Sequence, residues 1–116
     1  MHSPELIFCY GKNPAFAPIA LATGFRYGAQ LPCTVYAPVY FADNEYRKPD
    51  REAYMAALNQ HRPAVATVLD WMIEEQLSEV LSWAEEAAQY CERLIIIPKV
   101  SGGIPRIPTR IGGRDV

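Results

Sequence analysis

Six polar residues stand where apolar runs give way to polar sequence, and in a βα protein the carboxyl ends of strands are where ligands are held. Asp70 follows the run Ala64-Val65-Ala66-Thr67-Val68-Leu69, and Lys99 follows Leu94-Ile95-Ile96-Ile97-Pro98. Tyr40 and Asp43 come after Thr34-Val35-Tyr36-Ala37, and Tyr10 and Lys12 end the run that begins at Leu6. A carboxylate placed directly after six strand-type residues must be paired or face a polar pocket. Asp70 either does this or caps the following segment. Lys99 supplies a cation for a substrate anion or for Asp70, or stands exposed in a loop. Gly102-Gly103 either lets backbone approach a ligand closely or marks a turn. The chemistry these types offer is recognition by charge and hydrogen bonding.

Covalent and metal chemistry find no matching pattern. His61 reads as a cation at a helix end, His2 lies in the terminus, and neither has a Ser or Cys partner at a telling spacing. Cys9, Cys33 and Cys91 are odd in number and far apart, without a CxxC or Cys/His cluster. No metal, no cofactor and a reduced cytoplasmic setting are therefore expected. Trp71 and Trp83 read as packing residues. With 11 Lys and Arg against 13 Asp and Glu, the net charge of −2 gives no general attraction to nucleic acid or anionic lipid. Any phosphate contact must be local, as at Arg106, Arg110 and Arg114 in the Pro/Gly-rich tail. No apolar run nears the roughly 20 residues that span a bilayer, and Met1-His2-Ser3-Pro4-Glu5 lacks a basic leader. Neither membrane insertion nor export is expected.

The elements that must position these residues follow from periodicity. The chain has 116 residues, half of them apolar, which suits a single α/β domain over residues 1–116. Residues 6–10 read as a buried strand ended by Gly11. A short or broken helix follows, with Asn13 as cap, Pro14 at its start, Pro18 inside and Gly24 as its stop. Residues 34–37 read as a second strand between Pro32 and Pro38, and residues 39–49 as a polar loop carrying Tyr40, Phe41 and Tyr46. Asp50 caps a helix to about His61, which Pro63 ends. Residues 64–69 and 94–97 are continuous apolar strands. Between them Leu77, Val80, Leu81, Ala84, Ala87, Ala88 and Cys91 recur at helical spacing. Residues 100–116 read as an irregular tail. Alternation of strand and helix implies a parallel sheet with right-handed crossovers. Four such units are half of a TIM (β/α)8 barrel; the alternative is an open sheet with helices on both faces.

Val68-Leu69-Asp70, Leu81-Ser82-Trp83-Ala84-Glu85 and Ile95-Ile96-Ile97 followed by Ser101-Gly102-Gly103 resemble the tRNA-guanine transglycosylase family over about a third of the chain. In that family a barrel strand ends in Leu-Asp, a helix has a Leu-x-Trp-Ala core, and a hydrophobic strand leads to Gly-Gly. A broader resemblance runs from Tyr27-Gly28-Ala29 through Ile111-Gly112-Gly113. It is to an uncharacterised phage- and prophage-associated group sharing this barrel, of which Arg47-Lys48-Pro49-Asp50-Arg51 and His61-Arg62-Pro63-Ala64 are typical. The first resemblance implies that Asp70 accepts hydrogen bonds from the ring N–H and exocyclic amine of a deazaguanine base. Pro98-Lys99-Val100-Ser101 stands where the family has a glutamine directly before Gly-Gly, and the early Asp-Ser/Thr-Gly-Gly-Phe signature is absent. The family's nucleophilic aspartate and zinc ligands belong to the second barrel half, which has no counterpart here.

The resemblance thus implies a purine or deazapurine base, or nucleic acid, held by Asp70, Lys99, Gly102, Gly103, Tyr40 and Asp43. No catalytic residue is assigned: transglycosylase-like base exchange is expected only with a partner, not from this chain alone. Half a barrel leaves two edges and an inner face uncovered, so a homodimer or a companion chain is expected to complete it. The rival expectation is a non-enzymatic phage-derived protein that binds a host protein through the aromatic loop from Tyr40 to Tyr46.

Overall fold

A computed structural model describes residues 4–9 and 13–116, so Tyr10, Lys12 and His2 lie outside the described residues. The chain is mixed α/β with a mostly parallel seven-stranded sheet. Five parallel strands run in chain order: β1 (Ile7–Phe8), β2 (Arg26–Leu31), β3 (Phe41–Asn44), β4 (Val65–Thr67) and β5 (Arg93–Ile95). Helix α1 (Ala17–Ala22) joins β1 to β2, α2 (Arg51–His61) joins β3 to β4, and α3 (Leu77–Ala87) joins β4 to β5. A short hairpin of β6 (Arg110–Ile111) and β7 (Arg114–Asp115) completes the sheet, with β7 parallel to β5.

Local chemistry explains the boundaries. The Asp50 carboxylate accepts a hydrogen bond from the Ala53 amide at 3.1 Å, a side-chain cap of the kind that starts helices. Arg62 then turns left-handed at φ 47°, and Pro63 cannot continue the helix. Helix α3 buries Val80, Trp83, Ala84 and Ala87, one stripe at helical spacing. Pro18 sits in the first turn of α1, where a missing amide donor costs nothing.

Register decides which side chains share a face. Gly28 pairs with Phe41, Phe41 with Val65, and Val65 with Arg93. One face therefore carries Tyr27, Ala29, Leu31, Ala42, Ala66 and Leu94, all buried in a core shared with Tyr54, Leu58, Val80, Trp83 and Ala84. Rings of Tyr54 and Trp83 pack 6.4 Å apart there. The opposite face carries Ile7, Arg26, Gln30, Phe41, Asp43, Val65, Arg93 and Ile95, exposed or only half-buried, together with Thr67, which is buried. An added Cβ at Gly28 would stand 2.9 Å from Ile7 and 3.3 Å from Phe41, so the glycine lets these two side chains close over β2.

Three expectations are corrected. Residues 34–37 are not a strand; they lie in the connection between β2 and β3. Pro32 and Pro38 remove ladder donors there, and the Tyr36 amide donates instead to the Tyr27 hydroxyl at 3.0 Å. The second strand is β2, in which Arg26, Gly28 and Gln30 alternate with the buried Tyr27, Ala29 and Leu31. Residues 39–49 are not wholly a loop, because β3 lies within them, pinned between β2 and β4. Residues 100–116 are not wholly irregular. A 3-10 turn spans Ile104–Arg106, and Gly112 (φ 57°) and Gly113 (φ 80°) make the two-residue turn that folds β6 onto β7.

Candidate functional site

The carboxyl ends of β3, β4 and β5 bring polar groups together on the open face. Asp43 and Thr67 occupy neighbouring strands at the same level, and the Thr67 hydroxyl donates to the Asp43 carboxylate at 3.0 Å. The same oxygen accepts from the Asn44 amide at 2.9 Å. Thr67 is 2% exposed, so its hydroxyl is a fixed part of the scaffold. Behind it the Tyr54 hydroxyl, on α2, donates to the Thr67 carbonyl at 2.6 Å and lies 3.3 Å from the Ala42 carbonyl. This ties the ends of β3 and β4 to the core.

Asp70 stands three residues beyond β4, its side chain only 13% exposed. It does not cap a helix: the next helical turn starts at Glu74, with Ile73 at its cap position. Asp70 is paired instead with the Lys99 ammonium at 3.1 Å. The two segments are held in place by the Trp71 amide donating to the Ile97 carbonyl and the Lys99 amide to the Trp71 carbonyl, at 3.1 and 2.8 Å. The Lys99 ammonium also lies 5.3 Å from the Tyr46 ring centre, a cation–π contact.

Electrostatics single out Asp43. Burial pushes its carboxyl above the ordinary value, the Thr67 and Asn44 hydrogen bonds pull it down, and the charges of Asp70 and Glu45 add to the rise. Burial and the Asp43 charge likewise push up the Cys9 thiol at the end of β1. One partly desolvated carboxylate beside an ion-paired one makes a hydrogen-bond acceptor surface. Among the described residues no three His, Cys, Asp or Glu side chains gather as a metal-binding set.

Other residues singled out from sequence lie elsewhere. Tyr40 precedes β3 at its amino end, where its hydroxyl donates to Glu5 and its ring sits 5.1 Å from the Arg26 guanidinium. It is not brought to Asp43. Gly102 takes φ 69° in an open turn. Gly103 is buried, and an added Cβ would meet the Trp71 ring at 2.8 Å, so this glycine serves packing. One residue of the site, Thr67, was not singled out from the sequence, and Tyr46 was read only as part of the aromatic loop. Thr67 is the one hydroxyl inside an otherwise apolar run, a legible signal for a buried polar anchor, whereas nothing in sequence ties Tyr46 to Lys99.

A family model described as a family of unknown function, DUF6610, matches residues 19–112. No curated protein and no solved structure matches the chain. The matched span includes Asp43, Thr67, Asp70 and Lys99 and covers most of the sheet, and the chain belongs to the DUF6610 family.

Proposed function

We propose that this protein is half of a barrel-type βα scaffold that binds a purine-like or deazapurine base at the carboxyl ends of β3 and β4. The observation that carries the reading is the convergence of Asp43 and Asp70 at adjacent strand ends, anchored by Thr67 and Lys99. The strand order supports the scaffold: five parallel strands in chain order, with helices against one face, follow barrel logic rather than the reversed order of a doubly wound sheet. Base edges of this class present neighbouring N–H groups, and two carboxylates present acceptors to them. A site built to satisfy such donors rejects analogues that lack them. Tyr46, half-exposed beside Lys99, is placed to cover one side of a planar ligand.

On this reading the chain binds the base without exchanging it, and the Thr67 hydroxyl beside Asp43 is buried in the scaffold and not offered to a ligand. Binding is tested by thermal denaturation with guanine, deazaguanine and adenine at millimolar concentration. A rise in Tm with a guanine-type base, lost in Asp70→Asn, is the expected result. A rise that survives Asp70→Asn removes the role given to Asp70, and base exchange by the purified chain alone overturns the non-catalytic reading. Recovery of a stoichiometric host protein in a pull-down, with no response to bases, would favour the interaction-protein alternative. Tyr46, at 51% exposure, is the aromatic residue such a contact would use.

A further inference from the structure

The loop Glu45-Tyr46-Arg47-Lys48-Pro49-Asp50 runs from the end of β3 to the cap of α2. Together with the carboxyl ends of β2 and β3 it lines a cavity of about 310 Å³. That is the low end of the roughly 300–1,000 Å³ of ligand cavities and suits a single small ring. Asn44 lines the cavity at 5% exposure, and its side-chain Nδ2 has no hydrogen-bond partner among the described residues. Buried amide donors are nearly always paired, so this one calls for an acceptor that the protein does not supply. The Asn44 main-chain N–H is already committed to the Thr67 hydroxyl at 2.9 Å, which fixes the residue at the strand end.

The rest of the polar wall is Gln30, Glu45, Lys48 and Asp50. Glu45 accepts from the Arg47 amide through Oε1 at 2.8 Å, and Asp50 accepts from the Ala53 amide through Oδ1 at 3.1 Å. Each carboxylate keeps its second oxygen unengaged among the described residues, and Lys48 forms no ion pair among them. An anion would face two carboxylates against one ammonium. A simple cation would leave the Asn44 donor unanswered. A hydroxyl both donates and accepts, so a vicinal diol answers carboxylates and donors at once. Carboxylates hold ribose hydroxyls at the same ends of the strands in dinucleotide-binding sheets. We propose that this cavity is a sugar site taking one furanose ring with a free 2′,3′-diol. Glu45 and Asp50 accept from its hydroxyls, while Asn44 Nδ2 and the Lys48 ammonium donate to its oxygens.

Register links the cavity to the Asp43 carboxylate. Gln30 pairs with Asp43 and lines the cavity, and Asn44 is the next residue along β3. Successive side chains leave opposite faces of a strand, so a base on the open face and a sugar in the cavity straddle the tip of β3. The diol therefore has two sources, the ribose of a nucleoside or a free pentose. The nucleoside source rests on the base-binding reading; the cavity does not, because Asp43, Asp70 and Tyr46 are not among its lining residues.

Calorimetric titration of the full chain with guanosine, 2′,3′-dideoxyguanosine and D-ribose tests the site and separates the two sources. Guanosine is expected to bind about tenfold tighter than the dideoxy form, which keeps the base and lacks the diol. Asn44→Leu removes the orphan donor, Glu45→Gln removes one carboxylate, and each is expected to abolish that difference. Binding of D-ribose with no response to the dideoxy form supports a free sugar as the ligand and removes the base site. Equal affinities for guanosine and the dideoxy form, with no response to D-ribose, overturn the sugar site and leave the base site standing. Silence from all three ligands overturns both. A difference that survives both variants overturns the roles given to Asn44 and Glu45. Glycine, a zwitterion that also meets both signs of charge, is the control: its binding in preference to D-ribose overturns the sugar class. If Asn44→Leu fails to fold by circular dichroism, Glu45→Gln, at a half-buried loop position, decides alone.

Discussion

Replacing Thr67 with Val tests whether the strand ends are organised as described. Valine keeps the volume and branching of threonine, so no cavity opens, and its strand preference is at least as good. What disappears is one hydroxyl with two bonds, the 2.9 Å contact from the Asn44 amide and the 3.0 Å contact to Asp43. The Asn44 amide belongs to a buried residue and is left without an acceptor, at about 1–3 kcal/mol. Asp43 is half-buried, so water replaces part of its lost bond and the additional loss is about 0.5–1 kcal/mol. Together these come to about 1.5–4 kcal/mol, a large share of the roughly 5–15 kcal/mol that holds a domain folded. With a urea slope of about 1–3 kcal/mol/M, the unfolding midpoint is expected to fall by about 1–2 M with the slope unchanged. A loss below about 0.5 kcal/mol at unchanged slope would refute the reasoning, because it would mean that neither group depends on the hydroxyl.

Asp43→Asn carries a pH signature. Burial raises the folded-state carboxyl value, so the acid form is favoured on folding. That contribution is fully present below the unfolded value of about 3.9 and is lost as pH rises through the raised folded value. The stability of Asp43→Asn relative to the parent is therefore expected to improve from pH 3 to pH 7 in parallel urea titrations; no change across that range would contradict a raised value. Gly103→Ala places a Cβ 2.8 Å from the Trp71 ring and 2.9 Å from the Val100 carbonyl. A loss of about 1–3 kcal/mol in urea titration, with a changed near-ultraviolet signal from Trp71, is expected.

Helices α2 and α3 were legible because their information is local: an Asp50 cap and a Pro63 stop bracket α2, and an apolar stripe runs along the 11 residues of α3. Strands β4 and β5 were legible for a related reason, since continuous β-branched runs suit a buried parallel strand almost regardless of neighbours. Asp70 and Lys99 followed from those runs, being the first charges past each strand, and their pairing at 3.1 Å is where short linkers bring them. Strand β2 was legible only as a weak signal: Arg26, Gly28 and Gln30 do alternate with Tyr27, Ala29 and Leu31, but six residues with a glycine among them also suit a loop. Those residues are tolerated there only because they point to a face that no helix covers. Nor could the short β3 be told from a loop, since four residues acquire strand geometry from pairing on both sides. The anchoring of Asp43 by Thr67, the separation of Tyr40 from Asp43, and the open face itself depend on register. Register is a relation between segments some 24 residues apart, settled by the packing of the whole sheet onto its helices.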